Sequence, residues 1–128
     1  MTSVEIPTSV AAALPTLSVF DITNEVSHEL RDSRMPSGLV YVTPRAPLSM
    51  VRVTERESGF FCDLENMLIR LVPPDTSDRE RLLLMLLGPR TEQIPFVDGA
   101  LCLGQWQRVL LFGFNGDAVA DYALTILG

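Results

Sequence analysis

Few side chains in this sequence could carry out chemistry. Glu55 directly follows an apolar, strand-like run, a usual position for a carboxylate in a site, although a solvated loop acid is the simpler interpretation. His28, the only histidine, lies off the apolar stripe of a predicted helix, so a functional role for it would need a partner from another subunit. All ten basic residues are arginine, which excludes Schiff-base and lysine-base chemistry. A site built from several histidines is also excluded within one chain.

Charge and cysteine content narrow the class of protein further. The net charge is −6 and the pI is about 4.6, which argues against binding to nucleic acid or to an anionic membrane. The cysteines, Cys62 and Cys102, lack CxxC spacing and are predicted to be small buried side chains. The longest apolar run, 82–87, is far shorter than the ~20 residues of a membrane span. We therefore expect a soluble cytoplasmic protein.

The elements that must position these residues indicate an α+β fold in a single domain, residues 1–128. Helices are predicted in the middle of the chain, starting at Asp21-Ile22-Thr23-Asn24, at 60–72 and at the Ser77-Asp78-Arg79-Glu80 capping box. Asp21 or Thr23 is expected to cap the first helix. Antiparallel strands are predicted towards both ends of the chain, at 4–6, 17–20, 38–41, 48–53, 109–114 and 119–127, the last two joined by an Asn115-Gly116 turn.

Two stretches suggest close packing. Six consecutive apolar residues, 82–87, cover every face of the third helix, so that helix is expected to be central or packed against another subunit. In 94–112, Asp98-Gly99 predicts a tight turn between strands of a buried hairpin. Gly104, just before the only tryptophan, suggests a bulge or the close approach of another backbone.

In the order of its motifs the sequence resembles the YjbQ-like family, also called the secondary thiamine-phosphate synthase family. The resemblance covers nearly the whole chain. The matching segments are Asp21-Ile22-Thr23, Gly38-Leu39-Val40, Glu55, Asp63-Leu64-Glu65, Arg70-Leu71-Val72-Pro73, Leu86-Leu87-Gly88, Ile94-Pro95, Asp98-Gly99, Leu101, Leu103-Gly104 and Trp106-Gln107. The resemblance implies a YjbQ-like α+β domain that assembles as a homotrimer.

The residues that would carry the family's chemistry are replaced. Aligning Glu55 with the family glutamate places Ala46 and Arg81 at two positions where the family has histidines. The loop at Pro74-Asp75-Thr76-Ser77 is too short to hold a third histidine, and Gln105 replaces a threonine. Because neither alanine nor arginine can act as an imidazole base or metal ligand, no metal and no cofactor are expected.

The resemblance leaves Glu55, Asp63, Arg81, Trp106 and Gln107 as candidate ligand-binding residues. Three of these residues also have an ordinary structural interpretation. Trp106 could be a core residue, Gln107 a partner of buried backbone groups, and Asp63 a charge at a helix terminus. Glu55 and Arg81 are expected to face one pocket and to form an ion pair.

These observations lead to two hypotheses of function, one for a binding or structural protein and one for an enzyme. The favoured hypothesis is a non-catalytic member of the family that acts as a small-ligand-binding or structural homo-oligomer. The alternative is an enzyme of thiamine-phosphate synthase type in which Arg81 replaces a family histidine and holds a small anionic ligand.

Overall fold

The computed structural model describes residues 9–114 and 120–128. In chain order, the described elements are β1 (Ser9–Ala13), β2 (Ser18–Asp21), α1 (Thr23–Ser33), β3 (Ser37–Pro44), β4 (Ser49–Glu55), α2 (Ser58–Leu71), α3 (Arg79–Leu87), β5 (Glu92–Val97), β6 (Ala100–Leu101), β7 (Gln107–Gly113) and β8 (Tyr122–Leu127). The predicted strand at 4–6 and the predicted Asn115-Gly116 turn lie outside the described residues. β1 was not predicted.

The strands form two four-stranded antiparallel sheets, and the α+β class is confirmed. The first sheet has the order β1-β2-β7-β4 and the second the order β6-β5-β3-β8. One apolar core lies between the two sheets, and α1 contributes Val26 and Leu30 to it. A second core lies on the other face of the first sheet, under Phe61 and Leu68 of α2 and Leu83 of α3. The first sheet is therefore the central layer.

The helices begin for different local reasons. The N-cap of α1 is Ile22, and the carboxylate of the preceding Asp21 accepts the Thr23 N–H at 3.1 Å. The N-cap of α2 is Glu57, which was not predicted and whose carboxylate accepts the amides of Gly59 and Phe60. The predicted capping box of α3 is wrong: Asp78 is the N-cap, in a left-handed conformation, and no side chain bonds the free amides.

The predicted Asp98-Gly99 turn is confirmed. Both residues have positive φ, 53° and 74°, as a type I′ hairpin turn requires. The hairpin is only half buried, however, because β5 alternates between buried and exposed residues: Ile94 and Phe96 face the core, whereas Val97 is exposed. The alternation follows from strand geometry, since the second sheet has a core on one face only.

The prediction that the two cysteines are buried is wrong, because Cys62 and Cys102 are both exposed and free. The run 82–87 is not central: only Leu83 is fully buried, while Leu82, Met85 and Leu86 are exposed, so packing of this helix against another subunit stays a prediction. Helix α3 lies on the outermost layer, so no residue that the structure describes covers one of its faces. No helix among the described residues has the length and apolarity needed to cross a membrane.

Candidate functional site

Glu55 and Gln107 are brought together by strand pairing. Glu55 is the last residue of β4, Gln107 is the first residue of β7, and the two are register partners. They line a cleft of about 380 Å³ together with Phe60 and Glu57. Both Glu55 and Gln107 are exposed, so the cleft is open to solvent. Its two carboxylates favour a polar or cationic group over an anion.

Gln107 also closes the turn that precedes it. Its Oε1 accepts the Gly104 N–H at 2.7 Å, and its own N–H donates to the Gly104 carbonyl at 3.1 Å. A Cβ at Gly104 would lie 3.1 Å from that Oε1, so the glycine admits the close approach of a side chain rather than of another backbone. The backbone group that Gln107 satisfies is exposed, not buried. Trp106 lies within this turn and is 68% exposed, so its interpretation as core is wrong.

The other two candidates lie elsewhere. Asp63 is exposed on α2 and does not line the cleft of Glu55. Arg81 is on α3, and its Nη1 lies 3.9 Å from Asp78 Oδ1 in a largely exposed pair. The expected Glu55–Arg81 pair is therefore wrong within one chain. The two residues line different cavities, because α3 covers the far end of the first sheet from the Glu55 cleft.

Arg81 lines a mostly apolar cavity of about 520 Å³ with Leu48, Met85 and Arg90. The residue after Ala46 also lines it, so two positions where histidines were expected adjoin one cavity. The Ala46 carbonyl accepts hydrogen bonds from Ser49 Oγ and Arg90 Nη2. This region therefore presents guanidinium groups and aliphatic side chains. Among the described residues, no group of three histidine, cysteine, aspartate or glutamate side chains could hold a metal ion.

A buried carboxylate at the end of β2, Asp21, forms an ion cluster that was not predicted. Asp21 Oδ2 accepts from Arg108 Nε at 2.9 Å and from Arg56 Nη1 at 3.2 Å. Its Oδ1 accepts the Thr23 hydroxyl at 2.7 Å, and Thr23 Oγ1 in turn accepts the Val109 amide. Burial raises the pKa of Asp21, but the hydrogen bonds from Arg108 and Thr23 and the Arg108 charge outweigh it, so the pKa lies below its usual value.

A second buried cluster lies between α2 and α3. Glu65 Oε1 accepts the amides of Thr16 and Leu17 at 2.8 and 3.0 Å. Arg79 donates to the Val72 carbonyl and to Thr16 Oγ1. One atom of each charged group, Glu65 Oε2 and Arg79 Nη2, is buried and has no hydrogen-bond partner among the described residues. Helical spacing could have revealed Glu65, because it falls between Phe61 and Leu68 on the buried face of α2.

Comparison with known proteins places this geometry in a family. The model of the family described as UPF0047 protein YjbQ-like matches residues 14–128. A UPF0047 protein of Methanothermobacter thermautotrophicus is 30% identical over 122 residues, covering 88% of this chain and 84% of the relative. A UPF0047 protein of Archaeoglobus fulgidus is 33% identical over 112 residues, covering 78% of this chain and 83% of the relative.

The fold agrees with a solved structure. An uncharacterised YjbQ/UPF0047 family protein of Clostridium acetobutylicum superimposes with a TM-score of 0.79, covering 95% of this chain and 100% of the other. The two are 19% identical in sequence, so this likeness concerns the fold alone. The match to the family model covers most of the chain, from the residue that follows β1 to the last residue. The chain therefore belongs to the YjbQ-like UPF0047 family.

Proposed function

We propose that this chain is a non-catalytic family member that acts as a cytoplasmic, single-domain homo-oligomer, with the outer face of α3 at its subunit interface. One observation carries the proposal: α3 exposes Met85 by 82%, Leu86 by 60% and Leu82 by 44%. Neighbouring α2 exposes Met67 and Leu71 as well. Adjoining apolar side chains on an outer layer are typical of a surface that another subunit covers.

The cavity beside α3 supports the same assignment. It is lined mainly by aliphatic groups, and the exposed Met85 is one of its lining residues. A concave apolar surface next to a projecting apolar side chain is a shape that a second copy can complement. The trimeric stoichiometry follows from the family resemblance. The exposed free thiols of Cys62 and Cys102 support a reducing, cytoplasmic location.

The non-catalytic part of the proposal rests on residue chemistry. At the positions where the resemblance expects histidines, the chain has Ala46 and Arg81, which cannot exchange protons near pH 7. The remaining histidine, His28, is on α1, where its Nε2 lies 3.3 Å from Asp32 Oδ2 one helical turn away. Helix α1 packs in the core between the sheets, on the opposite face of the first sheet from α3. His28 therefore cannot replace the lost groups within one chain.

The oligomer is tested by the mass in solution. We expect light scattering at micromolar concentration to give three times the 14.2 kDa of the chain, and Met85→Glu to give the chain mass with unchanged circular dichroism. The matched control is Val97→Glu, which alters another exposed apolar residue, 54% exposed on β5, and should leave the oligomer intact. A monomeric wild type, or a Met85→Glu protein that remains oligomeric, would contradict the proposal.

The enzyme alternative requires Arg81 of one subunit to approach Glu55 of another, with Arg81 and Arg90 holding a small anion such as pyrophosphate. Thermal melts with and without millimolar pyrophosphate test it. The non-catalytic proposal expects no stabilisation. Stabilisation of the wild type that is lost in Arg81→Ala and kept in Arg70→Ala, the exposed arginine of α2, would favour the enzyme instead.

A further inference from the structure

A separate cavity of about 590 Å³ lies between the end of α1 and the β5–β6 hairpin. Its accessible apolar lining includes the partly buried Leu101 and Leu103. The exposed residues Arg31 and Arg34 also line it. A cavity of this size with an apolar floor and a few convergent polar groups is the usual form of a small-molecule site.

The two arginines that line this cavity differ from most others in the chain. Arg52, Arg79 and Arg90 each donate to backbone carbonyls, and therefore have a structural role. The guanidinium groups of Arg31 and Arg34 make no hydrogen bond and no ion pair with any described residue. Their donors are free for a ligand, and a pair of guanidiniums binds carboxylate or phosphate oxygens with matched geometry.

The backbone of Arg34 adds an independent observation. Arg34 ends α1 in the left-handed conformation, with φ 57° and ψ 18°. Glycine is the favoured residue there, because a Cβ makes this conformation costly. Arg31 is explained by the helix dipole, which favours a cation in the last turn, but Arg34 has no such structural explanation. A strained residue whose side chain lines a cavity indicates a role for that side chain.

We propose that this cavity binds a small amphipathic oxyanion, a carboxylate or phosphate monoester with a short aliphatic chain. The oxyanion lies between Arg31 and Arg34, and the aliphatic chain covers Leu101 and Leu103. Asp98, across the cavity, repels the anion and thereby limits its affinity. The site is distinct from the Glu55 cleft and from the α3 face, so it does not depend on the proposed function.

Calorimetric titration of the full chain with octanoate and with octyl phosphate tests the proposal and distinguishes the two oxyanions. We expect saturable binding of at least one of them, weakened about tenfold or more in Arg34→Gly and in Arg31→Ala. Acetate and inorganic phosphate, which lack the aliphatic chain, should bind more weakly than their octyl counterparts. Asp98→Asn should tighten binding, and the control Arg70→Ala should leave it unchanged.

Arg34→Gly separates binding from folding. Because glycine relieves the left-handed strain, this variant should melt at a higher temperature than the wild type while losing the ligand. Arg34→Lys should melt like the wild type and keep part of the affinity. The proposal is overturned if neither octyl compound binds at millimolar concentration. It is overturned equally if Arg34→Gly binds as tightly as the wild type, or if Asp98→Asn weakens binding.

Discussion

Asp21 and Glu65 are both buried carboxylates, but their surroundings compensate them differently. Asp21 contacts two guanidinium groups directly, and both of its oxygens accept hydrogen bonds. Glu65 has no arginine within ion-pair distance, and within the part of the chain that the structure describes only one of its oxygens has a hydrogen-bond partner. We therefore expect Asp21 to stabilise the fold mainly through its charge, and Glu65 mainly as a hydrogen-bond acceptor for backbone amides.

The difference follows from the places the two residues occupy. Asp21 is the last residue of β2, an inner strand of the first sheet, and the partly exposed side chains of Arg56 and Arg108 contact it there. Glu65 lies in the middle of α2 and faces the loop before β2, where the Thr16 and Leu17 amides lack strand partners. A buried N–H without a partner is costly, so a deep acceptor is useful there even without a cation. Thr16 connects this acceptor to Arg79 through its hydroxyl.

Removing the Glu65 side chain is expected to have the largest effect. Glu65→Ala leaves the Thr16 and Leu17 amides unsatisfied and opens a cavity under α2, so it should destabilise the fold by about 3–5 kcal/mol. Glu65→Gln keeps an oxygen acceptor and should cost about 1 kcal/mol. Urea unfolding followed by circular dichroism measures both. Equal losses in the two variants would mean that the charge, and not the acceptor, is what stabilises this cluster.

Local rules of the sequence predicted several elements of the fold. Pro73-Pro74 correctly placed the end of α2, which stops at Leu71. The spacing of Ile22, Val26 and Leu30 correctly identified the buried stripe of α1. Asp98-Gly99 gave the hairpin because that turn depends on two residues only. These features are decided by neighbours in the chain, which a single sequence displays directly.

Depth within the fold was not predictable in the same way. Trp106 was expected in the core, yet it lies in an exposed turn, and the apolar run of α3, expected to be central or packed against another subunit, lies on the outer layer of the chain. Hydrophobicity alone does not tell which layers cover a residue. The burial of the charged residues of α3 was not predictable for the same reason. Arg79 is buried and Arg81, two positions later, is exposed. An apolar run that covers every face of the helix does not indicate which face is turned inward.

Replacing Asp21 should have an intermediate effect that depends on pH. Asp21→Asn leaves Arg56 and Arg108 without their carboxylate, and should cost about 2–3 kcal/mol near pH 7, since both arginines are partly exposed. Because the pKa of Asp21 is lowered by folding, its stabilising effect is complete above the unfolded value of about 3.9 and is lost as the pH falls through the folded pKa.

Unfolding of the wild type and Asp21→Asn between pH 2 and 7 measures this dependence. The difference in unfolding free energy should be constant from pH 7 to about 5 and should shrink below about pH 4. Arg70→Ala, which removes no carboxylate and alters an exposed residue, serves as the control for general acid destabilisation. A difference between wild type and Asp21→Asn that does not change with pH would show that Asp21 stabilises the fold without its charge.

The smallest effect is expected at Arg81, the arginine to which the sequence assigned an internal ion pair. Its side chain is 76% exposed and its distance to Asp78 is 3.9 Å, so Arg81→Ala should change the unfolding free energy by less than about 0.5 kcal/mol. Arg79→Ala, two residues earlier, removes the donor to Thr16 Oγ1 and to the Val72 carbonyl and should cost about 2–4 kcal/mol. The unfolding free energies of both variants should be measured at a protein concentration low enough to keep the chain monomeric, so that subunit contacts do not contribute. A loss of several kcal/mol in Arg81→Ala under those conditions would restore the internal ion pair and remove the contrast between the two arginines.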